Sequence, residues 1–414
     1  MILRLFWQSR KNRAYRQRIS ERLGFFKLSN KQPIIWVHAV SVGETIAAKP
    51  LIDRLISDYP DHHILVTSTT PTGSAMVKKL FGDSVLHVYF PYDLPEIVFR
   101  FLNRVKPQIL IIVETEIWPN LVAACKKRKI PMMLANARLS SRSTKSYLKI
   151  KGLIEETLQR LDVIAVRSQE DGARFKQLGA LDRQMIVAGN IKFDLTLDKK
   201  QIEKGRLRKE QWGNDRLVWV AASTHAGEES EILKIHSRLL QKYPDCLLIL
   251  IPRHLERFDD VFGLCKEHNE VKSEVQGNSN TVRHSQQSDY TNFHGNIIVG
   301  DTIGEMQSWY AIADVVFMGG SLVDTGGHNP LEALALGKPV VSGSQVFNFQ
   351  DIYPVLTKAG VCWVCEDADQ IERQLLVLLE NKNHASEFFQ SATSVMRQYA
   401  GVTERLMGQV KCLM

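Results

Sequence analysis

The chain has 414 residues, 44% of them hydrophobic, and a formal charge of +8. That length buries large cores and favours two domains, while the lack of any run of about eighteen apolar residues excludes a bilayer-spanning helix within this sequence. Six cysteines scattered over such a length make no disulfide framework, and with no cleavable signal in view the expected setting is reducing and cytosolic.

Residues 1–31 carry Arg4, Arg10, Lys11, Arg13, Arg16, Arg18, Arg22, Lys27 and Lys31 against a single acid, Glu21, interleaved with Phe6, Trp7, Tyr15, Phe25 and Phe26. The pattern reads as a basic amphipathic segment for an anionic membrane surface. A plain solvated face carries the same charge; nucleic acid is not expected as a partner.

From Pro33 onward, short β-rich runs alternate with helical stretches: 33–40, 63–67, 85–90, 108–114, 131–135, 162–167 and 185–188. Their nearly continuous Ile, Leu and Val content predicts parallel strands covered on both faces, with crossover helices between them. One such helix is expected over 44–59, with Ile46, Leu51, Ile52 and Leu55 on a single face. Polar clusters follow these strands. Ser41 to Thr45 places Gly43 and Glu44 at a helix start, where Glu44 reads either as a general base or as a first-turn acid complementing the helix dipole. Thr70 and Thr72 follow the second strand, and Glu114 and Glu116 follow the fourth beside Trp118, as sugar-recognising carboxylates or as cap and lysine partners. Arg138 and Arg142 suit phosphate, carboxylate or ordinary surface pairing.

Gly189 to Lys200 reads as a linker, and a second alternating series follows at 216–222, 246–251, 296–299, 315–318, 339–342 and 361–364. Ser223-Thr-His225 and Pro252-Arg-His254 end strands there as well. The polar stretch 268–294 is expected to be mostly a mobile surface loop. Gly319 to Ser342 predicts a strand, a glycine loop holding Gly319, Gly320, Gly326 and Gly327, and a helix capped by Asn329 that carries Glu332. The loop is either a phosphate seat or a tight turn without a ligand. Cys362 and Cys365 read as part of a buried strand rather than half a zinc site. Two doubly wound α/β domains facing a central cleft are the expected architecture, with strand ends lining that cleft. The expected segments are 1–31 (basic, membrane-proximal), 32–190 (N-terminal, Rossmann-like), 191–200 (linker), 201–385 (C-terminal, Rossmann-like) and 386–414 (helical); that the first domain binds an acceptor, that the second binds a nucleotide sugar and that the last segment packs back toward the N-terminal domain are implied by the family resemblance of the motifs that follow.

Taken together, His38-Ala-Val-Ser-Val-Gly-Glu44, Thr69-Thr-Pro-Thr-Gly73, Phe90-Pro-Tyr-Asp-Leu-Pro95, Glu114-Thr-Glu-Ile-Trp-Pro-Asn120, Asn136-Ala-Arg138, Ser223-Thr-His225, Pro252-Arg-His254 and Gly319 to Glu332 resemble the bacterial 3-deoxy-D-manno-octulosonic acid (Kdo) transferases. The resemblance implies a GT-B fold, CMP-Kdo as donor, a phosphorylated lipid A precursor (lipid IVA) as acceptor, inverting transfer at the cytoplasmic face of the bacterial inner membrane, and neither cofactor nor catalytic metal. By motif, Glu44 is the catalytic base. Ser41, Gly43, Thr70, Thr72, Glu114, Glu116 and Arg138 are expected around the acceptor. Lys192, Ser223, Thr224, His225, Pro252, Arg253, His254, Gly319, Gly320, Gly326, Gly327, Asn329 and Glu332 are expected around the donor. Members of that family begin with an apolar membrane segment ahead of the basic stretch Arg10 to Arg18; here either that segment lies ahead of this sequence or attachment is peripheral. The rivals are another GT-B enzyme acting on a UDP-sugar, a UDP-sugar epimerase, or a non-catalytic lipid-binding scaffold. Intact Glu44, Glu114, Glu116 and Glu332 argue against the scaffold.

Overall fold

The computed structural model describes residues 13–28, 32–213, 215–276, 281–287, 289–291, 293–380 and 385–414. Arg4, Arg10, Lys11 and Lys31 of the basic segment lie outside the described residues. The chain divides into one unit of residues 1–194 with 399–414 and a second of 195–398.

The first unit carries a parallel sheet of β1 (Ile34–His38), β2 (His63–Ser68), β3 (Leu86–Tyr89), β4 (Pro107–Val113), β5 (Met132–Ala137), β6 (Val163–Val166) and β7 (Met185–Val187) in the order β3-β2-β1-β4-β5-β6-β7. The strands read as unbroken apolar runs because both faces are covered. Along β1, Ile34 and Trp36 enter one core while Ile35 and Val37 enter the other; β4 divides likewise, Leu110 and Ile112 against Ile109, Ile111 and Val113. The C-terminal helix Val402–Leu413 completes the second of these cores with Val402, Leu406, Met407 and Val410. Asp194 fastens its start by accepting the Gly401 N–H at 2.7 Å and the Thr403 N–H.

The second unit repeats the plan with β8 (Val218–Thr224), β9 (Leu247–Pro252), β10 (Thr281–Arg283), β11 (Ile297–Val299), β12 (Val315–Met318), β13 (Val340–Gly343) and β14 (Cys362–Cys365), in the order β10-β11-β9-β8-β12-β13-β14. Cys362 and Cys365 are free thiols within β14. In each sheet the order reverses beside the first strand, between β1 and β4 and between β8 and β12, and ligands of such sheets bind outside the carboxyl ends at that reversal.

Three expectations are corrected. The stretch 268–294 is not mainly loop: a helix runs through Phe258–Gln276 and β10 follows as an edge strand. The helix expected over 44–59 is two, Val42–Ala47 and Lys49–Asp58, meeting at Ala48 just before Pro50, which has no N–H to continue the first. Ile46 is therefore 50% exposed while Leu51, Ile52 and Leu55 are buried. The basic segment is also less free than its charge suggests. Arg22 is 2% exposed, donates to the Thr69 carbonyl at 2.7 Å and lies 3.9 Å from the Tyr89 ring centroid. Arg18 pairs with Glu21 and donates to Ser74 Oγ at 3.0 Å.

Candidate active site

In the first unit the sheet reversal gathers carboxylates. β1 delivers Ser41, whose Oγ caps the helix Val42–Ala47 at the Glu44 N–H. Glu44 folds back in turn, its Oε2 accepting the Val40 N–H at 2.7 Å and its Oε1 the Ser41 hydroxyl at 3.0 Å. These bonds make Glu44 a capping residue at the start of its helix, as the first-turn reading expected. Burial pushes its pKa up to about 7; the Val40 N–H opposes that shift, nearby Glu114 adds to it, and Ser41 and Arg138 oppose it.

Glu116, at the end of β4, is pushed to about 8, first by burial and then by Glu44 and Glu114, with the Trp118 indole opposing. Glu114 is held differently. Buried Arg167 donates to its Oε1 at 2.7 Å, and Arg138 lies 3.2 Å from its Oε2. The environments therefore divide the three: one carboxylate is locked in ion pairs, and two carboxyls titrate near neutrality.

The strand ends are also bent. Glu114 has φ 64°, Asn136 has φ 53° and, in the second unit, Ser223 has φ 58°. Left-handed backbone at non-glycine residues is sparsely populated and gathers at functional sites. The ladders β5–β6 and β8–β9 shift register at these positions, across Asn136 and across Ser223. Asn136, fully buried, accepts the Ile191 N–H at 3.1 Å.

The remaining first-unit candidates are mainly architectural. Thr70 caps the helix Pro71–Phe81 through the Gly73 N–H, and Thr72 lies 3.4 Å from its hydroxyl. Gly43 differs: a Cβ there would meet nothing closer than Ser41 Oγ at 3.9 Å, so the fold does not require glycine beside Glu44. Lys192 sits in the 3-10 turn Ile191–Phe193 of this unit, whereas the other expected donor residues belong to the second.

In the second unit β8 ends at Ser223 and Thr224, β9 at Pro252, and β12 runs into the glycine loop. Gly319 is required by close approach, since a Cβ would stand 2.7 Å from the Ser223 carbonyl oxygen. The loop corrects one expectation. The N–H groups of Gly320, Ser321 and Leu322 all donate to the fully buried Glu228 carboxylate, at 2.7, 3.0 and 3.0 Å, and the Gly319 N–H bonds to Ala222. The anion held by this nest is the protein's own side chain, so Gly319 and Gly320 shape the loop and do not offer their N–H groups to a phosphate.

Further along the loop, His328 meets His225, Nε2 to Nε2 at 2.9 Å with stacked rings, and His254 lies edge-on to His225 at 5.2 Å. Burial, then Arg253, lowers His328 to about 4; burial also lowers His225. Both shifts favour the neutral imidazoles, and Arg253, exposed at the end of β9, adds a cation beside them. Asn329 Oδ1 accepts the Leu331 N–H at 3.2 Å, and the helix that follows, Leu331–Ala335, has only five residues. Glu332 is partly buried, its carboxyl raised by burial and opposed by Gln307.

The sequence reading missed Arg167, Glu228 and His328. The first two act through long-range contacts that spacing does not reveal. His328 lies inside the motif that drew attention to its glycines.

Residues 17–195 match the family described as 3-Deoxy-D-manno-octulosonic-acid transferase (kdotransferase), and residues 216–395 match glycosyl transferases group 1. The chain is 42% identical to the 3-deoxy-D-manno-octulosonic acid transferase of Haemophilus influenzae over 97% of this chain and 92% of that one. To the protein of the same name from Bordetella pertussis it is 35% identical over 90% and 86%. Two solved structures share the fold at low identity. UDP-GlcNAc 2-epimerase from Neisseria meningitidis bound to UDP-GlcNAc is 16% identical with a TM-score of 0.59, over 92% of this chain and 99% of that one. A glycosyltransferase from Rickettsia africae is 12% identical with a TM-score of 0.58, over 93% and 98%. The architecture is of the GT-B type.

Proposed function

This chain belongs to the 3-deoxy-D-manno-octulosonic acid transferase family, whose members transfer Kdo in lipopolysaccharide synthesis, and we propose that it moves Kdo from CMP-Kdo to lipid IVA with inversion at the anomeric carbon. In this reading an acceptor hydroxyl attacks the anomeric carbon, its proton passes to Glu44, and the bond to the phosphate oxygen breaks with its electron pair leaving on CMP. The observation that carries the reading is Glu44 itself, a carboxyl titrating at about 7 at the sheet reversal, where a general base working near neutral pH belongs.

Glu116, protonated up to about pH 8, supplies a hydrogen-bond donor to the acceptor. Glu114 with Arg167 and Arg138 forms the fixed frame, and the outer face of Arg138, whose side chain is 45% exposed, is available to an acceptor phosphate. On the second unit Arg253 is assigned to the departing phosphate and Glu332 to the ribose hydroxyls. Neutral His225 and His328 contribute hydrogen bonds rather than charge.

The acceptor would be met at the cytoplasmic face of the inner membrane, held there by residues 1–31 on an anionic surface. Among the described residues no helix is long and apolar enough to cross a membrane. Donor competition tests the reading: CMP should inhibit transfer and UDP should not. Inhibition by UDP alone would move the chain to the UDP-sugar enzymes whose fold it shares.

A further inference from the structure

The helices Ser141–Leu148 and Lys151–Gln159 of the first unit meet at a basic corner. Between Leu139 and Ile154 the sequence contains Arg142, Lys145, Lys149 and Lys151 and no acid. All four cations are exposed. The ion pairs of the neighbourhood, Lys126–Asp162, Arg160–Glu156 and Arg174–Asp171, engage none of them. At the tip, Ile150 is 51% and Leu153 49% exposed, and a Cβ on Gly152 between them would meet nothing within 4 Å.

Two large aliphatic side chains standing in water among unpaired cations are poorly placed for a soluble surface and well placed for a boundary that is anionic outside and apolar beneath. The corner is tied to the active site. Tyr147 and Leu148 on the same helix pack against the first unit's core, and the Tyr147 phenol is close enough to Glu116 to feel its charge.

We propose that this corner, with Ile150 and Leu153 inserted and Lys145, Lys149 and Lys151 on the headgroups, is a second membrane contact, separate from residues 1–31 and specific for an anionic lipid surface. Charge complementarity selects that occupant: an apolar protein partner would leave the cations unpaired, and a neutral bilayer would leave their attraction unused. The proposal deepens the membrane reading above. Its test uses no substrate, so failure of lipid contact and failure of Kdo transfer are scored apart.

The full chain is sedimented with vesicles of phosphatidylcholine alone and with vesicles containing phosphatidylglycerol, as wild type, as K149Q/K151Q and as I150S/L153S. All four positions are exposed, so the fold is retained, and circular dichroism verifies it. Each cation near an anionic surface contributes about fivefold to partitioning, so K149Q/K151Q should bind phosphatidylglycerol vesicles about tenfold or more weakly. I150S/L153S should also bind them more weakly. An environment-sensitive fluorophore on Leu153→Cys, in a chain whose exposed Cys412 is changed to Ser, should shift to the blue with anionic vesicles and not with neutral ones. Unchanged partitioning of both variants, or no spectral shift, overturns the proposal. Reduced self-association at unchanged partitioning also overturns it, identifying the corner as a contact between copies.

Discussion

The carboxylate of Glu228, with no exposed surface, accepts the Gly320 N–H at 2.7 Å, and through this bond a residue opening one helix of the second unit fixes the glycine loop after β12. Counting Ser321, Leu322 and its own cap at His225 N–H, the carboxylate takes four backbone N–H groups. Glu228→Gln replaces one acceptor oxygen with a donor facing donors. It should destabilise the protein by about 2–4 kcal/mol and weaken CMP binding as the loop loosens. Thermal unfolding and CMP titration by calorimetry check both effects.

Glu44 must be ionised to act as a base, so turnover should fall as pH drops through about 7. If Glu116 donates a hydrogen bond, turnover should fall again above about 8. In Glu44→Gln the acidic limb should vanish and kcat drop by roughly 10²–10⁴ with CMP binding kept. In Glu116→Gln the alkaline limb should flatten. A pH–rate profile of the three proteins at saturating acceptor reads all of this.

Stability should move the other way. A carboxyl whose folded pKa is raised stabilises fully below its unfolded value, about 4.5, and that contribution is lost as pH rises through the folded value, because the native state retains a proton the unfolded chain has released. For Glu116 the window runs from about 4.5 to about 8. Glu116→Gln should therefore be more stable than wild type at pH 8.5, on the order of 1 kcal/mol after solvent screening, and close to it at pH 4.5. Chemical denaturation at the two pH values tests the sign.

Arg22 is predicted to matter for folding rather than for membrane binding. Its guanidinium lies over Tyr89 and bonds to the Thr69 carbonyl, so Arg22→Gln should cost about 1–3 kcal/mol. Arg10, Lys11 and Arg16 changed to Gln should instead weaken vesicle binding as salt does, leaving unfolding unchanged. Unfolding and sedimentation of the two variants should give opposite patterns.

The strands were legible because a strand covered on both faces leaves an unbroken apolar run, as Ile109 to Val113 does; only β10, three residues inside a polar stretch, left no such mark. The carboxylates were legible because the residues after a parallel strand must face the ligand edge, which selects Glu44, Glu114 and Glu116 without knowledge of their partners. Arg167 and Glu228 were not. Arg167 meets Glu114 across 53 positions and Glu228 meets Gly320 across 92, and no local pattern encodes such contacts. A glycine loop also looks alike from sequence whether its N–H groups await a phosphate or already hold a buried acid.

The central claim is tested most directly by incubating the 414-residue chain with CMP-Kdo and lipid IVA and recording the product by mass spectrometry, with Glu44→Gln in parallel. The account predicts lipid IVA heavier by Kdo and stoichiometric CMP from the wild type, and unchanged lipid from a variant that still binds CMP. No Kdo added by the wild type, or transfer at the wild-type rate by Glu44→Gln, would contradict it.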